Sequence, residues 1–376
     1  MIVGVPTEIK ASEGRVAITP TGVRELVSRG HRVLVESQAG EGSTIHDAEY
    51  ATQGAEIVPS AEDVFDGADL ILKVKEPQPV EVERFRPGQI VFTYLHLAAY
   101  PTLAKGLAES GVVGIAYETV QLADRSLPLL APMSEIAGRM ATQAGAYFLE
   151  RAQGGRGILL GGVPGVAPGK VVVIGAGIAG TNAAVIAVGM QAEVVALDRD
   201  LSRLRAIDSL YRGRIVTLAS NQLTLEQQVE DADLVIGSVL VPGASAPRLV
   251  TEPMVASMKR GAVLVDIAID QGGCFATSRE TTHEDPVYSV HDVVHYAVGN
   301  IPGAVPNTST YALTNATIPY VLALADLGVR EAFRRHPELV PGLNVANGSF
   351  ANRAVAESLG MSWVAPEEAL AGVAPV

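Results

Sequence analysis

The sequence predicts an α/β protein of two doubly wound, Rossmann-like domains with a cleft between them, the first domain discontinuous. Three observations predict it. Short β-branched runs alternate with helix-like segments from the second residue onward. The alternation stops in a Pro- and Gly-rich stretch and restarts at Lys170. After Pro302 the chain reads as helices. A length of 376 residues fits two domains at roughly 100–200 residues each. The expected boundaries are 1–128 plus 305–376 for one domain and 129–304 for the other.

The elements follow in order. Ile2–Val5 reads as a strand. Pro20–Arg29 reads as a helix with Thr19 as N-cap, Pro20 at the first helical position and Gly30 as the stop. Further strands are expected at 32–36, 70–74, 89–94 and 112–117. Strands spaced by helices imply βαβ units and a mostly parallel sheet. Leu127-Pro128-Leu129-Leu130-Ala131-Pro132 is too rich in proline for a regular element, so Ser134 is expected to cap a helix running to about Ala152. The second series has expected strands at 171–174, 193–197, 215–218, 234–237 and 262–267. The tail is expected to carry a helix over 311–327 and shorter helices, no third set of strands, and to pack back on the first domain.

Composition excludes several classes. With 48% hydrophobic and 18% charged residues the chain can build large cores and is not mostly disordered. Twenty-eight Lys and Arg against 41 Asp and Glu give a net charge of -13, and no basic run marks a nucleic-acid footprint. One cysteine, Cys274, forbids an intrachain disulfide and points to a reducing, cytoplasmic setting. The opening MIVGVPTEIK lacks the basic-then-apolar order of a secretory signal. Val171 to Ala192 is uncharged and about as long as a membrane span. Its β-branched start, its breaks at Gly175, Gly177 and Gly180, and Thr181 and Asn182 fit a buried strand, a tight turn and a buried helix better. No membrane association is expected.

Gly175-Ala176-Gly177-Ile178-Ala179-Gly180 carries the strongest chemical signal. It follows a β-branched strand and opens a helix pattern, and Asp198 ends the next strand roughly twenty residues further on. Gly175 would make the tight turn, Gly177 would let a pyrophosphate approach, and Gly180 would let helix and strand pack closely. The helix N-terminus, beginning at Ile178, would hold the phosphates. Asp198 would bind the adenosine ribose and repel a 2′-phosphate, favouring NAD over NADP, although Arg199 could pair with such a phosphate. Ser238, Val239 and Leu240 follow a strand and could line the cofactor, as could Ile267. The same run, 262–270, ends in two acids, Asp266 and Asp270, and spacing alone does not choose the catalytic one.

The first domain offers cations with unusual placement: Lys73 and Lys75 and His96 at strand ends, and Arg15 in the loop after the first strand. Singly each reads as an ordinary surface or packed residue. Jointly, Arg15 can grip a carboxylate with two hydrogen bonds, Lys75 can polarise a carbonyl oxygen, and His96 can move a proton near neutral pH. Beside a dinucleotide site they suggest oxidation of a small carboxylate-bearing substrate. His291 and His295 lie four apart without an evident third ligand, so no metal is expected.

The chain resembles the alanine dehydrogenase family. The resemblance rests on Gly4-Val5-Pro6-Thr7-Glu8, Glu13-Gly14-Arg15-Val16-Ala17, Leu72 to Pro77, Leu95-His96-Leu97-Ala98, Ala131 to Glu135, Gly161 to Val166, the Gly175 motif, Asp266 to Gly273 and Pro306 to Ala316. It implies reversible NAD-dependent deamination of L-alanine to pyruvate and ammonium. It implies Arg15 as the grip on the substrate carboxylate, Lys75 at the carboxylate or carbonyl oxygen, and His96 and Asp270 as the acid–base pair. Ser134, Asp198, Ser220 and Asn300 would contact the cofactor, with Arg203 near the adenosine end. It also implies a homohexamer whose interdomain cleft closes on substrate. The competing readings are the soluble NAD-binding part of a proton-pumping transhydrogenase, a more distant saccharopine dehydrogenase, and a non-catalytic NAD-binding protein.

Overall fold

The computed structural model describes residues 1–239 and 246–371. Its first half runs β1 (Ile2–Val5), α1 (Pro20–Ser28), β2 (Arg32–Glu36), α2 (Asp47–Thr52), β3 (Glu56–Val58), α3 (Ala61–Gly67), β4 (Leu70–Leu72), α4 (Pro79–Val82), β5 (Ile90–Thr93), α5 (Pro101–Ser110), β6 (Val113–Ala116) and α6 (Ala131–Phe148). Then come β7 (Lys170–Ile174), α7 (Ile178–Gly189), β8 (Glu193–Asp198), α8 (Leu201–Tyr211), β9 (Val216–Ala219), α9 (Gln222–Glu230), β10 (Leu234–Gly237), α10 (Glu252–Ser257), β11 (Val263–Asp266), β12 (Val287–Val290) and β13 (Val293–Tyr296). The tail carries α11 (Pro306–Arg335), β14 (Leu343–Ala346), β15 (Ser349–Phe350), α12 (Arg353–Ser358) and α13 (Pro366–Ala369).

The chain divides into two compact units, Met1–Met133 with Val305–Val376, and Ser134–Ala304. The first is therefore discontinuous. Its sheet has the order β15-β14-β6-β5-β4-β1-β2-β3. The six strands from β6 to β3 are parallel, and β14 and β15 add antiparallel at one edge. Thr19 caps α1 by accepting the Gly22 amide at 3.4 Å. Val64, Phe65, Ile71, Val91, Leu107 and Val345 form a core on one face of this sheet. The tail is not wholly helical: β14 corrects that expectation. Asn344 interrupts its apolar pattern, yet Asn344 is buried because its amide donates to Thr119 Oγ1 and the Gly342 carbonyl, both at 2.9 Å. α11 is long and apolar enough to cross a membrane by length and composition, and half of its apolar window is buried. Gly328, at φ 70°, breaks its helical run.

The second unit's sheet has the order β12-β13-β11-β10-β7-β8-β9, parallel except for β12. Both of its faces are covered, which explains why its strands read as unbroken apolar runs. Val171 and Val173 of β7, with Leu234 and Ile236 of β10, enter one core. Val172, Ile174 and Val235 enter the other. The 171–192 stretch resolves into β7, a turn and α7. α6 begins at Ala131 rather than at a Ser134 cap. Pro132 sits in its first turn, where a missing N–H breaks no intrahelical bond, so Ser134 lies inside the helix.

Candidate active site

Both parallel sheets reverse their winding between the first and fourth strands of their series, β1 and β4 in one, β7 and β10 in the other. Ligands in such sheets bind beyond the carboxyl ends of the strands at that reversal. Most of the sequence-predicted residues follow the carboxyl ends of these strands, whereas Ser134 lies on α6 and Arg203 on α8.

In the second unit, Gly175 turns the chain at φ 103° directly after β7. Its added Cβ would lie 3.0 Å from Ser238 Oγ on the segment after β10. Ser238 Oγ donates to the carbonyls of Ile174 and Gly175, both at 3.0 Å, tying the two strand ends together. Gly177 precedes α7, and a Cβ there would find only Arg203 Nη1, at 3.8 Å, leaving room for a ligand against the backbone. Gly180 has no such room: its Cβ would lie 1.7 Å from the Gly175 carbonyl oxygen. This cradle, closed behind and open in front, fits a dinucleotide pyrophosphate. Ile178, the first helical residue, is exposed. Asp198 accepts from the Ala176 amide at 2.6 Å and the Asp200 amide at 2.8 Å, which fixes its carboxylate beside the turn. Arg203 Nη1 lies 3.6 Å from Asp198. Ser220 leaves the end of β9 and donates its amide to the Asp198 carbonyl at 2.9 Å. On α6, Gly138 lets that helix close on α7, since a Cβ there would lie 2.1 Å from the Ala179 oxygen, and Ser134 stands one turn earlier.

The two acids after β11 separate in role. Asp266 is buried, and its oxygens accept from the amides of Ala268 (3.2 Å) and Cys274 (2.9 Å) and from Ser278 Oγ (2.6 Å). Burial raises its carboxyl above the ordinary range despite these bonds. Its bonding capacity is spent on folding the following loop. Asp270 is exposed on the short turn Ile269–Gln271 that this loop presents. A Cβ on Gly299 would lie 3.2 Å from Asp270 Oδ1 and 2.2 Å from Glu280 Oε1, so two carboxylates flank that backbone. Asn300 follows it at φ 59°, its carbonyl accepting from His283 Nε2 at 3.2 Å. Ile267 leaves β11 with its amide on the Gly237 carbonyl at 2.9 Å, and Val239 is half-buried. Leu240 lies outside the described residues.

In the first unit the expected cations all leave the carboxyl edge, and each meets a glutamate that the sequence reading did not assign. Arg15 is buried, with Nε donating to Glu13 Oε1 at 2.6 Å, Nη2 donating to Glu13 Oε2, and Nη1 donating to Met133 Sδ at 3.1 Å. Glu8, after β1, accepts from the Val74 amide at 2.5 Å, the Lys75 amide at 3.4 Å and Lys73 Nζ at 2.9 Å. Glu81 holds Lys73 Nζ from another side at 2.8 Å. Lys73 is thereby enclosed, while Lys75 is the buried cation the same loop carries onward. Glu118, after β6, accepts from the amides of Leu95 (3.2 Å) and His96 (2.6 Å). His96 itself is half-exposed and stacks on Tyr94, with ring centroids 5.7 Å apart. A buried cation needs a counter-ion, and that rule was the available signal for Glu8 and Glu13. No metal-binding cluster occurs among the described residues.

Comparison with known proteins identifies the family of the chain. The family model described as alanine dehydrogenase/PNT, N-terminal domain, matches residues 4–137, and the corresponding C-terminal domain model matches residues 141–353. The alanine dehydrogenase of Mycobacterium tuberculosis is 58% identical over 371 residues, covering 99% of this chain and 100% of that one. A solved L-alanine dehydrogenase superposes with a TM-score of 0.93 at 50% identity, covering 96% of this chain and 99% of that one. A transhydrogenase from Sinorhizobium meliloti superposes with a TM-score of 0.81 at 27% identity, covering 94% of this chain and all of that one. With nearly its whole length matched by both halves of one family, the chain belongs to the alanine dehydrogenase/PNT family.

Proposed function

We propose that the protein is an NAD-dependent amino-acid oxidoreductase that converts L-alanine, NAD⁺ and water to pyruvate, ammonium, NADH and a proton, reversibly. The observation that carries the proposal is the exit of Arg15, Lys75 and His96 from one sheet edge in a chain aligned end to end with alanine dehydrogenases. The division of labour belongs to the same proposal: substrate to residues 1–128 and 305–376, cofactor to 129–304.

The residues take these roles. Gly175, Gly177, Gly180 and the α7 start at Ile178 hold the pyrophosphate. Asp198 takes the adenosine ribose and disfavours a 2′-phosphate, with Arg203 beside it. Ser134, Ser220, Val239, Leu240, Ile267, Asp270 and Asn300 complete the cofactor's surroundings. NAD, when bound, accepts the hydride from the substrate Cα. Arg15 binds the substrate carboxylate. Lys75 sits at the carboxylate or carbonyl oxygen and stabilises negative charge developing there. His96 removes the ammonium proton that would otherwise occupy the nitrogen lone pair, and Asp270 orients the water that adds to the iminium. Excluding other water keeps hydrolysis at that one point.

The test is NADH formation, read by absorbance, on adding L-alanine at alkaline pH. No NADH at any pH would overturn the proposal. Hydride exchange between nucleotides without alanine would favour the transhydrogenase reading. Tight NADH binding without turnover would favour a non-catalytic role. A cytoplasmic homohexamer completes the proposal, supported by the single buried cysteine and the exposed apolar Leu159, Val163 and Val166 on one loop. Light scattering reads the assembly directly.

A further inference from the structure

His96 adopts a left-handed backbone, φ 48° and ψ 35°, immediately beyond β5. Histidine visits this region more readily than most residues but does not prefer it, so something must hold it there. The groups around it show what does. Glu118 stands on the turn that follows β6, the strand paired in parallel with β5. Its two carboxylate oxygens each accept one consecutive amide, Oε2 from Leu95 at 3.2 Å and Oε1 from His96 at 2.6 Å. The Tyr94 ring lies parallel to the imidazole, at 5°, and is itself tethered by its hydroxyl donating to the Leu129 carbonyl at 2.5 Å. Glu118 Oε1 also lies 4.0 Å from His96 Nδ1.

We infer that Glu118 is the positioning residue for His96: its carboxylate fixes the left-handed turn and, standing on the Nδ1 side of the ring, leaves Nε2 as the nitrogen that exchanges a proton with the substrate. A negative charge on that side favours the proton on Nδ1, and the lone pair then stands on Nε2. The inference rests on the catalytic reading of His96 given above.

The test compares Glu118→Ala, Glu118→Gln and His96→Ala in the full-length enzyme. Glu118→Ala should lower kcat about 10- to 100-fold, the scale of lost outer partners, with KM for pyruvate and NADH unchanged within about twofold. Glu118→Gln keeps one oxygen for the His96 amide and should recover part of that loss. Wild-type kcat in a folded Glu118→Ala, or a loss expressed wholly in KM, would overturn the inference. If Glu118→Ala does not fold, Glu118→Gln decides: reduced kcat at unchanged KM supports it, and wild-type kcat overturns it. His96→Ala separates the two levels. Wild-type turnover there removes the functional reading itself, whereas an inactive His96→Ala beside fully active Glu118 variants removes only the role of Glu118.

Discussion

Glu13 and Arg15, two residues apart, lock together at three points: the Glu13 carboxylate accepts from the Arg15 main-chain amide at 3.0 Å, from Nε at 2.6 Å and from Nη2. The guanidinium plane is set before any substrate arrives. Glu13→Gln cannot accept both side-chain bonds, so the KM for L-alanine should rise about tenfold or more with a smaller change in kcat. Steady-state kinetics check this, and an unchanged KM would detach Glu13 from substrate binding.

The same pair fixes a pH dependence of stability. Burial pushes the Glu13 carboxyl up, but the hydrogen bonds and charge of Arg15 outweigh it and hold the group below its ordinary 4.5. The folded state therefore takes up this proton less readily than the unfolded chain. The stabilisation is complete above the ordinary value and is lost as pH falls through the folded one. The Tm advantage of the wild type over Glu13→Gln should shrink as pH is lowered from about 6 to about 3. An advantage constant across that range would contradict the assignment.

His96→Ala and Asp270→Asn should each reduce kcat by at least ~10²-fold, the lower size of a proton-transfer contribution. Arg15→Lys should raise the alanine KM, because one ammonium does not replace a planar fork. Turnover at the wild-type rate in either acid–base variant would remove that residue from the mechanism.

Gly180→Ala tests the dinucleotide cradle without touching a charge. Its new methyl would meet a backbone oxygen, the Gly175 carbonyl at 1.7 Å, which cannot step aside as a side chain would. The strand–turn–helix must open to admit it. We expect NADH binding, followed by fluorescence titration, to weaken about tenfold or more, together with a lower Tm. Unaltered affinity would place the pyrophosphate elsewhere.

Lys73 holds two buried carboxylates, Glu8 and Glu81. Lys73→Met leaves both without their cation and should cost about 3–5 kcal/mol in urea unfolding. Burial already raises the Glu8 carboxyl above 4.5 even with Lys73 beside it. The folded state thus takes up this proton more readily than the unfolded chain, so the penalty of Lys73→Met should lessen as pH falls. A penalty independent of pH would argue that Glu8 does not titrate with folding.

The sequence was legible where one residue type had one physical duty. Buried parallel strands such as β7 and β10 were apolar throughout, and the Gly175 turn showed in its spacing. Five strands were not foreseen. β3 is a three-residue strand at a sheet edge with no fully buried residue, so it carries little apolar signal. β13 carries His295 in its middle, buried because its ring bonds to Thr277 Oγ1 and the Val293 carbonyl, and β12 pairs with it as a half-exposed edge. β14 hides behind Asn344, and β15 is two residues long. The cations of the site were visible at strand ends. Their glutamates were not, because Glu8 and Glu118 reach them from other strands, and pairing across strands leaves no trace in spacing. Asp266 and Asp270 became distinguishable only through burial and bonding.

Glu8 has a consequence for stoichiometry. At the winding reversal of the second sheet the turn carries Gly175 and Gly177, the backbone that the proposed function gives to the cofactor's phosphates. At the matching reversal of the first sheet, the amides of Val74 and Lys75 and the Lys73 ammonium already converge on the chain's own carboxylate. That resident anion bars a phosphate from the equivalent seat. Two domains sharing one winding should therefore yield a single dinucleotide per polypeptide at saturation.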